Sequence, residues 1–379
     1  MEIARTEEQR TYRDAVRRFC EREVAPHAIA VDRGERSIWD SYRALGKAGL
    51  LAPIYPEAYG GGGGDLTMLA IFMAELTRAC ASTALSCGAS TMLGGGTLLK
   101  YGTEEQRRKY LPPLARGETI ACMGLTEPGA GSDVMSISTR AVREGDTWLL
   151  RGQKTFITNA PVADLYVIFA RTSEKTLGTF LVDKGTPGLS TGRPMAKLGM
   201  RGSPTSEITL EDVRIPAANV VGDPTKGFAQ AMWPLAHERA LAPAMAIGIL
   251  QGCLERCIRY AGTRVQFGKP IGAFQAIQFK IARMYMDLTL LTANLHAVIE
   301  GLEAGRDMRN EIGAGKVFAG EAAVRGALEA IQIFGGYGYI EESEVERALR
   351  DAKLLEIGAG TTEVQLHIIA KSLLGDVAR

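Results

Sequence analysis

The chain has 379 residues, of which 46% are hydrophobic and 23% charged, and its mean hydropathy is near zero. That is the composition of a globular protein of two or three domains. A net charge of +1 argues against a chain built chiefly to bind nucleic acid or an anionic membrane. The first stretch, MEIARTEEQRTYRDAVRRF, is charged and reads as a helix capped by Thr6 and Gln9, not as a signal peptide. With no apolar run of about twenty residues, the expectation is a cytoplasmic protein without a membrane partner.

Residues 1–119 keep apolar side chains at helical spacing, with a second capping box at Thr103 and Gln106, and form a helical domain. The five glycines at 60–64 read as a surface loop, because helical patterning resumes directly after them. Over 120–225 the texture changes to short β-rich runs (DTWLL, KTFIT, DLYVIFA, GTFLV, SEITL) punctuated by Gly, Pro, Asp and Asn, which predicts an antiparallel β domain. Helical spacing returns over 226–379, in segments near 227–262, 272–304, 311–334 and 343–374, and predicts a four-helix bundle. The fold class is therefore α+β, in the order helical, β, helical.

The six cysteines form no C-x-x-C pair and the four histidines are isolated, so reduced thiols and no metal are expected. GAGKV at 313–317 resembles a phosphate loop, but Asn310 and Val317 break the pattern and the stretch lies inside a helix. No G-x-G-x-x-G follows a strand, so a nucleotide would have to be held another way. Four turns are dense in Gly, Thr and Ser: GLTEPGAGSD at 124–133, RVQFGKPIGAFQAIQ at 264–278, QIFGGYGY at 332–339 and IGAGTTEVQ at 357–365. Singly, each is more often a turn or a cap than a site. One further stretch, WPLAHERALAPAMAIGILQG at 233–252, is apolar except for His237, Glu238 and Arg239. A carboxylate there must be paired, solvated or put to use, since burying an unpaired charge is expensive.

In their order, T-E-P-G-A-G-S-D, F-I-T-N, R-x-x-F-G-K-x-I-x-x-F-Q, Q-x-x-G-G-x-G-Y, R-D-A-K and G-A-G-T-T-E make a chain that resembles the acyl-CoA dehydrogenase family along nearly its whole length. The nearest likeness is to the isovaleryl-CoA dehydrogenase branch. The resemblance implies an FAD enzyme that removes a proton from Cα and a hydride from Cβ of an acyl thioester. It places Met123, Leu125, Thr126, Gly131, Ser132, Phe156, Ile157 and Thr158 at the flavin ring, with Ser132 also near substrate. Arg264, Phe267 and Gln275, with Gln332, Gly335 and Gly336, would hold the pyrophosphate and adenosine. In the family these last two sets come from different subunits, which implies a homo-oligomer, usually a tetramer. Thr361 and Glu363 would close the site.

Many members carry the catalytic carboxylate in a Y-E-G-T turn; here that position holds Ala359. The isovaleryl and long-chain branches place it in a Glu-Arg pair on a bundle helix, which corresponds to Glu238-Arg239. An acid missing from one position and present at the other makes Glu238 the candidate base, with the Ala359 backbone N–H and a ribityl hydroxyl as donors to the thioester carbonyl. Arg239, Ala359 and Gly360 then border the substrate. Three departures bear on the acyl group: Ala236 where the branch often has aspartate, Ala229 where some relatives have tyrosine, and Pro243 inside the helix, where a kink would reshape the pocket. The expected substrate is a short or branched acyl-CoA, with the same chemistry on a carrier-protein thioester as the alternative. An electron-transfer flavoprotein is the expected electron acceptor. A non-catalytic adaptor or nucleic-acid binder would require a basic stripe near the carboxy terminus, yet EESEVERALRDAK is mixed in charge.

Overall fold

A computed structural model describes residues 2–375. Helices α1 (Glu7–Glu23), α2 (Ala28–Asp32), α3 (Trp39–Lys47), α4 (Leu66–Ala79), α5 (Ala81–Gly88), α6 (Gly95–Tyr101) and α7 (Glu104–Ala115) form the first layer. Both capping boxes are present: the Thr6 and Thr103 hydroxyls accept from the Gln9 and Gln106 N–H groups, and each glutamine side chain reaches back to the cap. The glycine run is pinned rather than loose. The N–H groups of Gly62, Gly63 and Gly64 donate to the carbonyls of Ala52, Tyr55 and Pro53, and a Cβ on Gly61 would lie 2.3 Å from Tyr55.

Among the described residues, seven strands make one sheet: β1 (Ala121–Gly124), β2 (Arg140–Glu144), β3 (Thr147–Thr158), β4 (Leu165–Arg171), β5 (Leu177–Asp183), β6 (Leu189–Thr191) and β7 (Thr205–Pro216). The order is β1-β4-β2-β3-β7-β6, with β5 against β4. The expectation of a wholly antiparallel domain needs one correction. β1 pairs with β4 in parallel, and β2 touches β4 in parallel through Arg140 and Arg171. The physical reason is connection length: β1 reaches β4 only through the intervening β2–β3 hairpin, and a long crossover permits parallel pairing where a tight turn does not. This pairing leaves the loop after β1 at the sheet edge, beside the end of β3.

The third layer comprises α8 (Gly227–Thr263), a short hairpin of β8 (Val265–Gln266) and β9 (Lys269–Pro270), α9 (Gln275–Glu303), α10 (Arg309–Phe334), α11 (Val345–Ala352), α12 (Leu354–Ile357) and α13 (Thr362–Leu374). The last predicted segment is thus broken into three, with turns at Lys353 and at 358–361. Helix α8 is assigned as one helix through both Pro234 and Pro243. By length and composition it could cross a membrane, but 72% of its most apolar window is buried inside the protein. It serves as a core helix: Leu241, Ile247, Leu250 and Leu254 join Ile71 and Phe72 of α4 and Ala323 and Ala327 of α10 in one hydrophobic cluster. Burying such side chains contributes roughly 1.5–3 kcal/mol each, and this cluster fixes the helix that carries Glu238.

Candidate active site

Helix α8 delivers Glu238 half-buried, and its carboxylate makes no hydrogen bond or ion pair among the described residues. Burial pushes its pKa up to about 7, against the pull of Arg239 and Lys316. A carboxylate left unpaired on an otherwise apolar helix costs stability, and such groups concentrate where chemistry needs them. Arg239 points elsewhere: its Nε donates to the carbonyl of Ala359 at 2.6 Å. From α10, the buried Lys316 Nζ donates to the next carbonyl, that of Gly360, at 2.5 Å. Arg239, Lys316, Ala359 and Gly360 are therefore brought together, with Glu238 close enough to both cations to feel their charge. Ala359 sits at φ +57° and Gly360 at φ +100°. An alanine in the left-handed region is uncommon and costs energy, so the two clasps hold a strained turn.

The flavin set predicted from sequence also converges. Leu125 and Thr126 follow β1, Phe156, Ile157 and Thr158 end β3, and the Thr155 N–H donates to the Thr126 carbonyl at 2.9 Å. The 125–133 loop closes on itself through reciprocal bonds between Glu127 and Ala130, leaving Gly131 and Ser132 exposed and Met123 half-buried. Beneath the loop lies a buried ion pair that sequence reasoning did not single out. Lys154 Nζ is 2.7 Å from Glu127 Oε1 and also donates to the Leu125 carbonyl at 3.1 Å. Glu127 further accepts from the Ser138 N–H and hydroxyl and from the Thr139 N–H. Burial would raise the Glu127 carboxyl; the Lys154 ammonium and these donors outweigh it and hold it down at about 2. Both residues stood in quoted motifs, T-E-P and K-T-F-I-T, but their pairing across 27 positions had no local signal.

The nucleotide set lies on the elements of the third layer. Arg264 caps α8, Phe267 tips the β8–β9 hairpin, Gln275 begins α9, and Gln332 lies near the end of α10. Arg264, Gly335 and Gly336 line one cavity of about 490 Å³ with Tyr260, Phe334 and Tyr337. Within one chain, helices α8 and α10 end side by side at this cavity, while Phe267, Gln275 and Gln332 are not among its lining residues. No hydrogen bond joins this set to the flavin loop among the described residues. Thr361 caps α13, accepting from the Val364 N–H at 3.3 Å, and with Glu363 borders a separate cavity of about 290 Å³.

These residues fit a flavin dinucleotide. Phe156 is 68% exposed at φ +57°, an aromatic face left open beside the loop. A Cβ on Gly335 or Gly336 would meet nothing within 4 Å, so backbone is open to a phosphate, with the Arg264 cation in the same cavity.

Models of the acyl-CoA dehydrogenase amino-terminal, middle and carboxy-terminal domains match residues 6–118, 122–213 and 225–374. The chain belongs to the acyl-CoA dehydrogenase family. It is 44% identical over 379 residues to the probable acyl-CoA dehydrogenase YngJ of Bacillus subtilis, covering 99% of this chain and 100% of that one. It is 38% identical to the mitochondrial isovaleryl-CoA dehydrogenase of Pongo abelii, covering 98% and 90%. Among solved structures, butyryl-CoA dehydrogenase from Megasphaera elsdenii superposes with a TM-score of 0.94 at 35% identity, covering 99% and 100%. As a member of an FAD-dependent family of oxidoreductases acting on CH–CH bonds, this acyl-CoA dehydrogenase takes acyl-CoA thioesters as its substrate class.

The raised carboxyl of Glu238 gives this acyl-CoA dehydrogenase a definite pH signature. A base acts only when ionised, so with Glu238 in that role kcat/KM would climb with pH through a limb centred near 7. A pH–rate profile checks this; a limb centred near the ordinary carboxyl value of 4.5 would count against the assignment.

Proposed function

We propose that the protein dehydrogenates a short or branched acyl-CoA, with Glu238 as the base that takes the Cα proton. The observation that carries this reading is the unpaired Glu238 carboxylate, held under the charge of the same two cations, Arg239 and Lys316, that clasp a strained turn. A thioester Cα–H is a weak acid, so the negative charge developing on the carbonyl oxygen needs donors in place beforehand. The Ala359 N–H supplies one such donor, and a backbone N–H needs no particular side chain. FAD, when bound, supplies the acceptor for the Cβ hydride. Leu125, Thr126, Ser132, Phe156 and Thr158 would hold its ring end; Arg264, Phe267, Gln275, Gln332, Gly335 and Gly336 would hold its nucleotide end. Phe267 is 93% exposed, and among the described residues the two ends share no hydrogen bond within one chain, which supports a site completed by a second copy in a homo-oligomer, as a tetramer. An electron-transfer flavoprotein takes the electrons onward, in the cytoplasm.

The test is anaerobic mixing of the yellow holoenzyme with butyryl-, isovaleryl- and octanoyl-CoA, and separately with acyl groups on a carrier protein. Bleaching by a short or branched CoA thioester is expected. Bleaching by the carrier-bound acyl group alone would move the assignment to that class.

A further inference from the structure

The lysine of the GAGKV stretch is no part of a phosphate loop, and acid–base chemistry does not use it; yet it is the most buried cation of the bundle, 2% exposed. We infer that Lys316 is a positioning residue, which with Arg239 draws the Gly360 and Ala359 carbonyls inward and so holds the N–H groups of the 359–361 turn ready for a thioester oxygen. The inference rests on the proposed dehydrogenase reading and deepens it.

Two helices each send one cation to one of two consecutive carbonyls, Arg239 Nε to Ala359 at 2.6 Å and Lys316 Nζ to Gly360 at 2.5 Å. In a trans peptide the N–H points opposite to its C=O. Drawing these two carbonyls to the cations therefore turns the N–H groups of Gly360 and Thr361 away from them. Ala359, at φ +57°, joins the same turn of successive positive-φ residues. The N–H groups of Ala359, Gly360 and Thr361 donate to no protein acceptor among the described residues, whereas Gly358 N–H is already given to Leu354 and Gln365 N–H to Thr361. Three free donors in a turn of this kind make a concavity suited to negative charge. The arrangement has a steric lock as well. A Cβ on Gly360 would come within 2.9 Å of Gln365 Nε2 and 3.4 Å of Arg239 Nη2.

Lys316 also faces the base. Its ammonium acts electrostatically on Glu238, as do Arg239 on the same helix and, toward Lys316 itself, Glu356 and Glu363. A cation that both orients the oxyanion donors and sits near the carboxylate moves two terms of one reaction. Its removal should therefore affect turnover more than substrate affinity. A purely structural lysine would instead lower holoenzyme yield and leave the surviving sites unchanged.

The probe is acetoacetyl-CoA, whose α-proton is acidic enough to leave without any oxidation. Its bound enolate, stacked on an oxidised flavin, absorbs at long wavelength, so a titration of that band against pH reads enolate stabilisation directly. In Lys316→Met holoenzyme, with FAD content and circular dichroism equal to the parent, the half-point should rise by about one pH unit, as expected for one lost charge-assisted hydrogen bond. On the acyl-CoA substrate, kcat should fall on the order of 10- to 100-fold, with KM changing less than about threefold. Lys316→Arg should recover part of both. An unchanged half-point and an unchanged kcat would overturn the inference while leaving the dehydrogenase reading intact. A parent holoenzyme with no band and no bleaching by any acyl thioester would instead remove the reading beneath it. If Lys316→Met does not accumulate as folded holoenzyme, Lys316→Gln decides, because it keeps a donor without the charge. A smaller shift in the same direction supports the role, and none overturns it.

Discussion

Glu238→Gln is expected to lower kcat by about 10²- to 10⁴-fold while leaving FAD bound and substrate affinity near its parent value. The amide keeps the shape of the side chain but cannot take a proton at Cα. No hydrogen bond or ion pair of Glu238 is lost, because it makes none among the described residues, so folding should not suffer. Removing a half-buried carboxylate whose pKa is pushed up to about 7 should even stabilise the fold. The sign follows from linkage: a carboxyl more basic in the folded chain than in the unfolded one opposes folding above its unfolded pKa, most fully above pH 7. Stopped-flow anaerobic reduction gives the rate, and thermal melting at pH 8 and pH 5 gives the stability. The melting difference between variant and parent should be larger at pH 8.

Lys154→Met carries the largest expected cost in stability. It leaves Glu127 buried, 4% exposed, with the Ser138 and Thr139 donors but no counter-charge. Breaking a buried pair in this way costs about 3–5 kcal/mol. The damage falls on the loop that carries Leu125 and Thr126, because Lys154 also donates to the Leu125 carbonyl. FAD should therefore be lost on gel filtration under conditions where the parent retains it. The pH sign is again definite. With its partner the Glu127 carboxyl is held at about 2, while burial pushes the Lys154 ammonium down to about 8, so both charges are in place at about pH 6–7 and the carboxyl's share of the stabilisation fades as pH falls from the ordinary value of 4.5 toward 2. The difference between parent and variant should thus shrink in acid. Replacing both residues, Lys154→Met with Glu127→Leu, should cost less than the single change, since no charge is stranded. A single variant as stable as the parent at about pH 6.5, where both groups are charged, would show that the ion pair does not hold the loop.

The architecture was legible where it rests on local periodicity. The change from helical to alternating texture near residue 120 and back near 225 reflects periods of about 3.6 and 2, which any short window carries. The first three long helical segments of the bundle and both capping boxes belong to the same class of signal, whereas the breaks inside 343–374 do not. Pairings across the chain were not legible. The parallel β1–β4 ladder joins segments 44 residues apart, and the Arg239–Ala359 clasp spans 120. Glu127, Lys154 and Lys316 each lie inside a sequence motif, yet only the fold shows that two of them pair and that the third grips the Gly360 carbonyl. The Ala359 turn is the reverse case. The missing acid there is visible in sequence, while the strain that makes its N–H groups available appears only in the backbone angles.

Proton exchange tests the role of Glu238 without involving the oxidation. The holoenzyme is incubated in D2O with an acyl-CoA that binds but lacks a removable β-hydrogen, and the thioester α-protons are followed by ¹H NMR. The parent should exchange its α-proton for deuterium, and Glu238→Gln holoenzyme should leave the signal intact over the same period. Exchange at an equal rate in both would contradict the account.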